Sequence, residues 1–292
     1  RNKREQPGKD DKVITSWNGL MISAFLSGHR ITDDSKYLDV AKKSIDFFES
    51  NFEKNHILHR TFKNEESKLN GYLDDYAYMA NASIDMFENT SDPKYLQFAG
   101  ELAVHLIQHF WDDPTHGFFF TSGNHESLII RPKNNYDLSM PSGNSVAAHV
   151  LLKLHYVTHQ NDPAGASAFG SHWEKFFLEI PKKILESKAT AAAENPFAFG
   201  YLLNVLYLYH QKPTEITIIN DKNSELISSL QKKFLPESIM VIVRDKNNLD
   251  SLSKHAFFSG KEFHDDKTNV FVCKNFSCSL PLSDLSEIEK EL

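Results

Sequence analysis

The sequence predicts a mostly helical protein, built from repeated helical hairpins and finished by a small α/β region. Three observations carry this. Lys36-Tyr37-Leu38 recurs 58 residues later as Lys94-Tyr95-Leu96, and self-similarity at a fixed spacing marks a repeated supersecondary unit. Each copy follows a helix-start signal, Asp34-Ser35 in one and Asp92-Pro93 in the other. There a side-chain oxygen caps free backbone N–H groups, and proline fits the first turn. Behind each signal the apolar residues fall at i, i+3, i+4 spacing: Tyr37, Leu38, Ala41, Ile45, Phe48 and Phe52, then Tyr95, Leu96, Ala99, Leu102, Ala103, Leu106, Ile107 and Phe110.

Each of these helices is preceded by another, at 17–30 and 72–89. A third hairpin opens at 142–159, a third start signal follows at Asn161-Asp162-Pro163, and a last helix lies at 196–210. That makes about seven helices. The turns inside hairpins hold only a few residues, 32–34 and 90–92. The connectors between hairpins are longer and carry β-prone stretches at 57–62, 117–121 and 128–131. Long loops on one face of a helical scaffold are the usual place for a site. After Pro213 the pattern changes. Short buried strands are expected at 216–219, 239–243 and 269–273, with a helix at 224–234 and a closing helix at 283–292. The expected division is a polar segment 1–12, a helical region 13–212 and an α/β region 213–292.

Composition narrows the function classes. The 292 residues carry a net charge of −7 without a dominant Lys/Arg cluster, which argues against a nucleic-acid partner. The longest apolar run, 201–209, is too short to cross a bilayer, and residues 1–12 are too polar for a signal peptide. Two cysteines exclude a disulfide framework and suit a reducing, cytoplasmic setting. Cys273 and Cys278 then read as packing residues at a strand end rather than a redox pair or zinc ligands. His105 and His109 sit at i, i+4 but read as exposed surface, since no third metal ligand is evident. With no Gly-rich phosphate loop and no nucleophile elbow, no cofactor or metal is expected.

The chemistry concentrates where the first helix of each hairpin begins: Trp17-Asn18-Gly19, Asp74-Asp75-Tyr76 and Ser142-Gly143-Asn144-Ser145. In a ring of hairpins these starts share one end with the long connectors, and all converge on one mouth. Adjacent residues on a helix point ~100° apart, so Asp74 and Asp75 are not a dyad. One could face the cavity as acid or base while the other caps the helix; alternatively both serve only the helix dipole. Asp75 is the first choice as acid/base. Asp137, whose loop leads into the Ser142 start, supplies a second carboxylate, as glycoside hydrolysis requires. Trp17, Tyr76 and Tyr136 offer rings for sugar stacking, and Asn18, Ser142 and Asn144 offer polar contacts. Arg60, Arg131 and Lys133 could bind an anionic group beside a helix N-terminus. Arg131 could instead pair with Asp74 or Asp75, and the Ser142-Gly143-Asn144 start is also explained by capping and close helix packing.

Four strings in this order bring a family into view: Asp10-Asp11-Lys12 with Thr15-Ser16-Trp17-Asn18-Gly19-Leu20-Met21; Gly71-Tyr72-Leu73-Asp74-Asp75-Tyr76-Ala77; Arg131-Pro132-Lys133 with Asp137 and Pro141-Ser142-Gly143-Asn144-Ser145; and Cys273-Lys274-Asn275-Phe276-Ser277-Cys278-Ser279-Leu280-Pro281. Together they resemble the spermatogenesis-associated protein 20 family of thioredoxin-domain-containing proteins, over nearly the whole chain. The resemblance implies a partial α/α toroid of the six-hairpin glycosidase class, similar to N-acylglucosamine 2-epimerase, with a carbohydrate-type cavity. It also implies a chain that starts inside that toroid, without a thioredoxin-like domain and about half the ring. The expected function is then a sugar isomerase, epimerase or glycosidase-like activity, or alternatively a non-catalytic scaffold working with a thioredoxin-like partner. Further expected partners are a small carbohydrate, the remaining part of the ring, or a second copy joined through uncovered helices.

Overall fold

The computed structural model describes residues 4, 8–55, 57–126, 129–159, 169, 171–236, 238–274 and 277–292. Helix α1 (Thr15–Thr32) pairs with α2 (Ser35–Asn55), and α3 (Leu73–Thr90) with α4 (Pro93–His109). Helix α5 (Gly143–Thr158) pairs with α7 (Phe176–Glu194) beyond the short α6 (Ser171–Glu174), and a 3-10 turn (Pro196–Phe199) leads into α8 (Gly200–Gln211). The signals foreseen in the sequence set these limits. The Asp92 side chain accepts from the Lys94 N–H, with Pro93 in the first turn, and the Ser142 side chain accepts from the Ser145 N–H. At the tight turns Asp33 and Ser91 take left-handed backbone angles, φ 57° and 55°, closing α1 and α3 onto His29 O and Phe87 O. The start signal expected at 161–163 lies outside the described residues.

The first helices of the hairpins, α1, α3, α5 and α8, pack side by side as an inner layer, and α2, α4 and α7 pack behind them. The repeat residues Tyr95, Leu96, Ala99, Leu102, Ala103 and Leu106 are all buried between layers, as are Ile45, Phe48 and Phe52. Inner helices at the two flanks keep apolar side chains in the open: Trp17 and Met21 on α1, Leu206 and Tyr207 on α8. The first connector forms β2 (His59–Lys63) and β3 (Glu66–Asn70), which join β1 (Val13–Ile14), just before α1, in an antiparallel sheet. Among its described residues the second keeps only the two-residue strands β4 (Trp111–Asp112) and β5 (Gly117–Phe118); of the stretch expected at 128–131, residue 128 lies outside the described residues and no strand forms at 129–131.

The C-terminal region is a four-stranded sheet in the order β7-β6-β8-β9, with β6 (Thr214–Ile219), β7 (Ser238–Val243), β8 (Asn269–Lys274) and β9 (Ser277–Cys278). Helix α9 (Ser224–Gln231) makes the crossover between the parallel strands β6 and β7. Helices α10 (Lys246–Leu252) and α11 (Leu285–Glu291) follow; α10 and β9 were not foreseen. Period-two alternation sorts the side chains. Ile216, Ile218, Met240, Ile242, Val270 and Val272 face α9 and α11 in a small core of their own. Ile219, Ile239, Val241, Val243, Phe271 and Cys273 join the helical core instead, where Phe258 meets Phe87 of α3 edge-on at 6.1 Å. The core therefore runs unbroken across position 213.

Two sequence expectations are corrected here: first, Cys273 and Cys278 are disulfide-bonded. The five-residue spacing lets β8 return as β9 and sets the two cysteines directly opposite each other, next to the Lys274–Ser277 pair. His105 and His109 are also not free surface. His105 stacks on Tyr76 at 4.5 Å and touches His109 at 4.3 Å, and burial lowers its pKa to about 4. No described helix is long and apolar enough to cross a membrane.

Candidate functional site

The N-terminal ends of the inner helices meet at one end of the layer, and carboxylates join them. Asp75, 0% exposed, accepts from the Ser16 N–H at 2.8 Å and from Arg60 Nη1 at 2.9 Å through one oxygen. Its other oxygen accepts from the Tyr72 N–H at 2.8 Å. It thereby ties α1, β2 and α3 together. Burial raises its pKa, while Arg60 and the two N–H groups pull the other way. Asp137 does the same between the next two helices, accepting from the Ser142 N–H and the Tyr201 N–H at 2.7 Å each. Both groups use their oxygens to satisfy N–H groups that a helix start leaves without partners.

Asp74 is placed differently. Its carboxylate lies against Gly143, the first residue of α5, where a Cβ would come within 2.3 Å of Oδ1. The missing side chain at Gly143 is what admits it. Asp74 Oδ1 is buried and has no hydrogen-bond partner among the described residues. Burial raises the Asp74 pKa to about 6, helped by the neighbouring Asp75 charge and opposed by Arg60. The group lines a cavity of ≈ 250 Å³ with Tyr78, Lys133, Asn134, Tyr136 and Ser142. Tyr78 donates its OH to Pro141 O across that cavity wall. Spacing continues the inner face of α3 from Asp74 through Tyr78 to Asn81, whose Oδ1 is likewise buried without a partner.

The structure thus brings Asp74, Lys133, Ser142 and Tyr136 together and puts the remaining expected residues elsewhere. Tyr76 turns outward instead of lining the cavity; its OH accepts from the Leu58 N–H at 2.9 Å, and its ring lies on His105. Asn144 pairs with the Phe118 backbone, accepting its N–H at 2.6 Å and donating to its oxygen at 3.0 Å. Asn18 donates to Ile14 O, and Trp17 is 59% exposed without lining the cavity. Arg60, not Arg131, pairs with Asp75; Arg131 donates to Thr121 O and covers the Phe119 ring. Lys133 reaches the cavity wall, but its ammonium is held by Asp112 at 2.6 Å and by Thr115. Sequence reasoning missed Asn134 and Asn135. Tyr78, four residues after Asp74, stands on the same face of α3 and lines the cavity as a neighbouring ring could be expected to.

At the opposite end of the inner layer the charges close on themselves. Glu88 accepts from Arg30 at 2.8 Å and from Lys153 at 2.7 Å. Asp85 accepts from Ser23 at 2.6 Å and Asn81 at 3.0 Å, with Lys153 3.7 Å away. Burial works to raise the Glu88 pKa, yet the two cations prevail and leave it lowered. His149 donates or accepts with the Tyr201 OH at 2.9 Å, and burial lowers its pKa to about 3.

Comparison with known proteins agrees with this architecture. No protein-family model matches the chain. Spermatogenesis-associated protein 20 of Homo sapiens is 24% identical over 313 aligned positions, covering 100% of this chain and 37% of its own length. An uncharacterised protein of Caenorhabditis elegans is 24% identical over 304 positions, covering 99% of this chain and 39% of its own length. The chain thus spans well under half of these relatives. Among solved structures, a GH76 α-mannanase of Bacteroides thetaiotaomicron superposes with a TM-score of 0.52 at 13% identity, over 76% of this chain and 57% of its own. That likeness establishes the fold, part of an α/α toroid.

Proposed function

We propose that this homologue of spermatogenesis-associated protein 20 binds a carbohydrate at the mouth of its helical layer, with Asp74 as the acid–base group. The observation that carries the reading is the Asp74 carboxylate, buried at Oδ1 without a partner among the described residues, on the wall of a cavity that Tyr136 also lines. Buried polar groups are nearly always satisfied, so one left open at a cavity points to a ligand that completes it. With a pKa near 6, Asp74 can both hold and release a proton close to neutrality. A sugar hydroxyl can donate to the Asp74 carboxylate at the cavity wall while the sugar ring stacks on Tyr136. The mannanase that shares the fold acts on a carbohydrate, which supports the choice of ligand class.

Asp74 is the one carboxylate among the described residues lining the cavity, because Asp75 and Asp137 are engaged by backbone N–H groups. One acid–base group suits proton transfer, as in an isomerisation or epimerisation, better than hydrolysis by a carboxylate pair. The same lone carboxylate favours a second reading, a binding module without turnover. A cytoplasmic location, and packing of the uncovered α1 and α8 flanks against further helices or a second copy, belong to the same proposal.

The test is a screen of mono- and disaccharides by ligand-observed NMR and by turnover, repeated with Asp74→Asn. A catalytic Asp74 predicts a loss of ~10²–10⁴-fold in rate with the fold intact. A binding module predicts weaker binding and no rate to lose. Unchanged binding and turnover in Asp74→Asn would reject both readings.

A further inference from the structure

We propose that the Cys273–Cys278 cystine is a redox-active site that accepts electrons from an external thiol, with Cys278 as the attacked sulfur and Lys261 as the cation that steadies it. Four observations place the parts. Cys273 is 0% exposed, whereas Cys278 lies on the open side of the β8–β9 hairpin and is exposed. Only one sulfur of the bond is therefore within reach of a thiol in solution. Lys261, 8% exposed, brings its ammonium to 3.9 Å from Cys278 Sγ. Among the described residues it forms no ion pair; its other contacts are Phe257 O and the faces of Phe257 and Phe271. Glu215 is the cross-strand partner of Cys273 in the β6–β8 register, so both side chains stand on the same face of the sheet.

A buried ammonium held in no direct ion pair is costly, the pull of Glu215 offsetting burial only in part, and it needs a reason. A sulfur that becomes a thiolate beside it supplies one, because a nearby cation stabilises thiolate over thiol. Buried Glu215 is a carboxyl in the middle of an otherwise apolar strand. Burial raises its pKa to about 7, against the pull of Lys261, so it holds a proton near neutrality. Lys261 is shifted the other way, to about 8, also by burial.

The exchange balances as follows. An external thiolate bonds to Cys278 Sγ as the Cys273–Cys278 bond breaks, and the bonding pair leaves on Cys273 Sγ. That thiolate takes a proton, for which Glu215 is the group opposite. A second external thiolate then attacks the donor's sulfur in the mixed disulfide, and Cys278 leaves as a thiolate beside Lys261. Two thiols have become one disulfide, and the cystine has gained two electrons. In the reduced protein the exposed Cys278 is the nucleophile and the buried Cys273 the resolving thiol.

The experiment uses dithiothreitol on the folded protein, with N-ethylmaleimide trapping read by mass spectrometry and folding followed by circular dichroism. The cystine should open with the fold retained, and Cys278 should alkylate at least about tenfold faster than Cys273. Lys261→Met should slow Cys278 alkylation about tenfold at neutral pH, and Lys261→Arg should restore it. A cystine that persists in dithiothreitol until the chain unfolds would overturn the proposal, and so would equal alkylation of both cysteines. An unchanged Cys278 rate in folded Lys261→Met would do the same. Should Lys261→Met not fold, the wild-type measurements decide alone.

Discussion

The two ends of the inner helical layer treat their charges in opposite ways. At the far end, Arg30, Asp85, Glu88 and Lys153 form one network in which every carboxylate oxygen meets a cation or a donor. At the mouth, Asp75 and Asp137 are equally well held, but Asp74 is left with a buried oxygen and no partner among the described residues. Burial is common to both ends; satisfaction is not. A closed network adds to the fold, while an open group costs stability unless a ligand completes it.

That contrast can be broken by substitution, and the largest effect belongs to the far end. Glu88→Ala leaves Arg30 and Lys153 facing each other without their shared anion and should cost ~3–5 kcal/mol in urea denaturation. Next comes Asp75→Asn, which sets an amide N–H₂ against the donors that the carboxylate now serves. A loss of ~2–3 kcal/mol is expected, with Arg60 freed. Asp137→Asn weakens the tie between the α5 and α8 starts and should cost ~1–2 kcal/mol by the same measurement. A ranking with Asp137 above Glu88 would mean that the mouth, not the far network, holds the layer together.

Much of this plan was open to reading in the sequence. Asp92, Pro93 and Ser142 cap helices by purely local rules, so the hairpins could be placed from residues alone, and Gly143 did mark a close helix contact. What the sequence could not fix was rotation. Asp74 and Asp75 differ by one position, and which of them faces the cavity depends on how α3 sits between α1 and α5. The same uncertainty sent Tyr76 outward and left Tyr78 on the inner face. Asn144 looked like a ligand-binding residue because its backbone partner, Phe118, is 26 residues away across a connector. The cystine was hidden differently. Its pairing depends on a hairpin at the end of β8, and a spacing of five gives no such signal in isolation. The alternation of Glu215 and Thr217 with Ile216 and Ile218 carried a signal of two unlike strand faces, which the expectation of a short buried strand at 216–219 passed over.

The central claim is that Asp74 is buried without compensation, and the pH dependence of stability tests it directly. A carboxyl whose folded pKa is raised, here from 3.8 to about 6, binds its proton more tightly in the folded chain than in the unfolded one. Its contribution is favourable below the unfolded value and is lost as pH rises through the folded one. Urea denaturation of the wild type and of Asp74→Asn should therefore diverge between pH 4 and pH 7, on either side of that value of about 6. The variant should gain on the order of 2–3 kcal/mol relative to the wild type over that window. Taking the difference removes the other titrating groups, Glu215 and Glu88 among them. A difference that stays flat, or one in which the wild type gains as pH rises, would show a satisfied carboxylate and contradict the account.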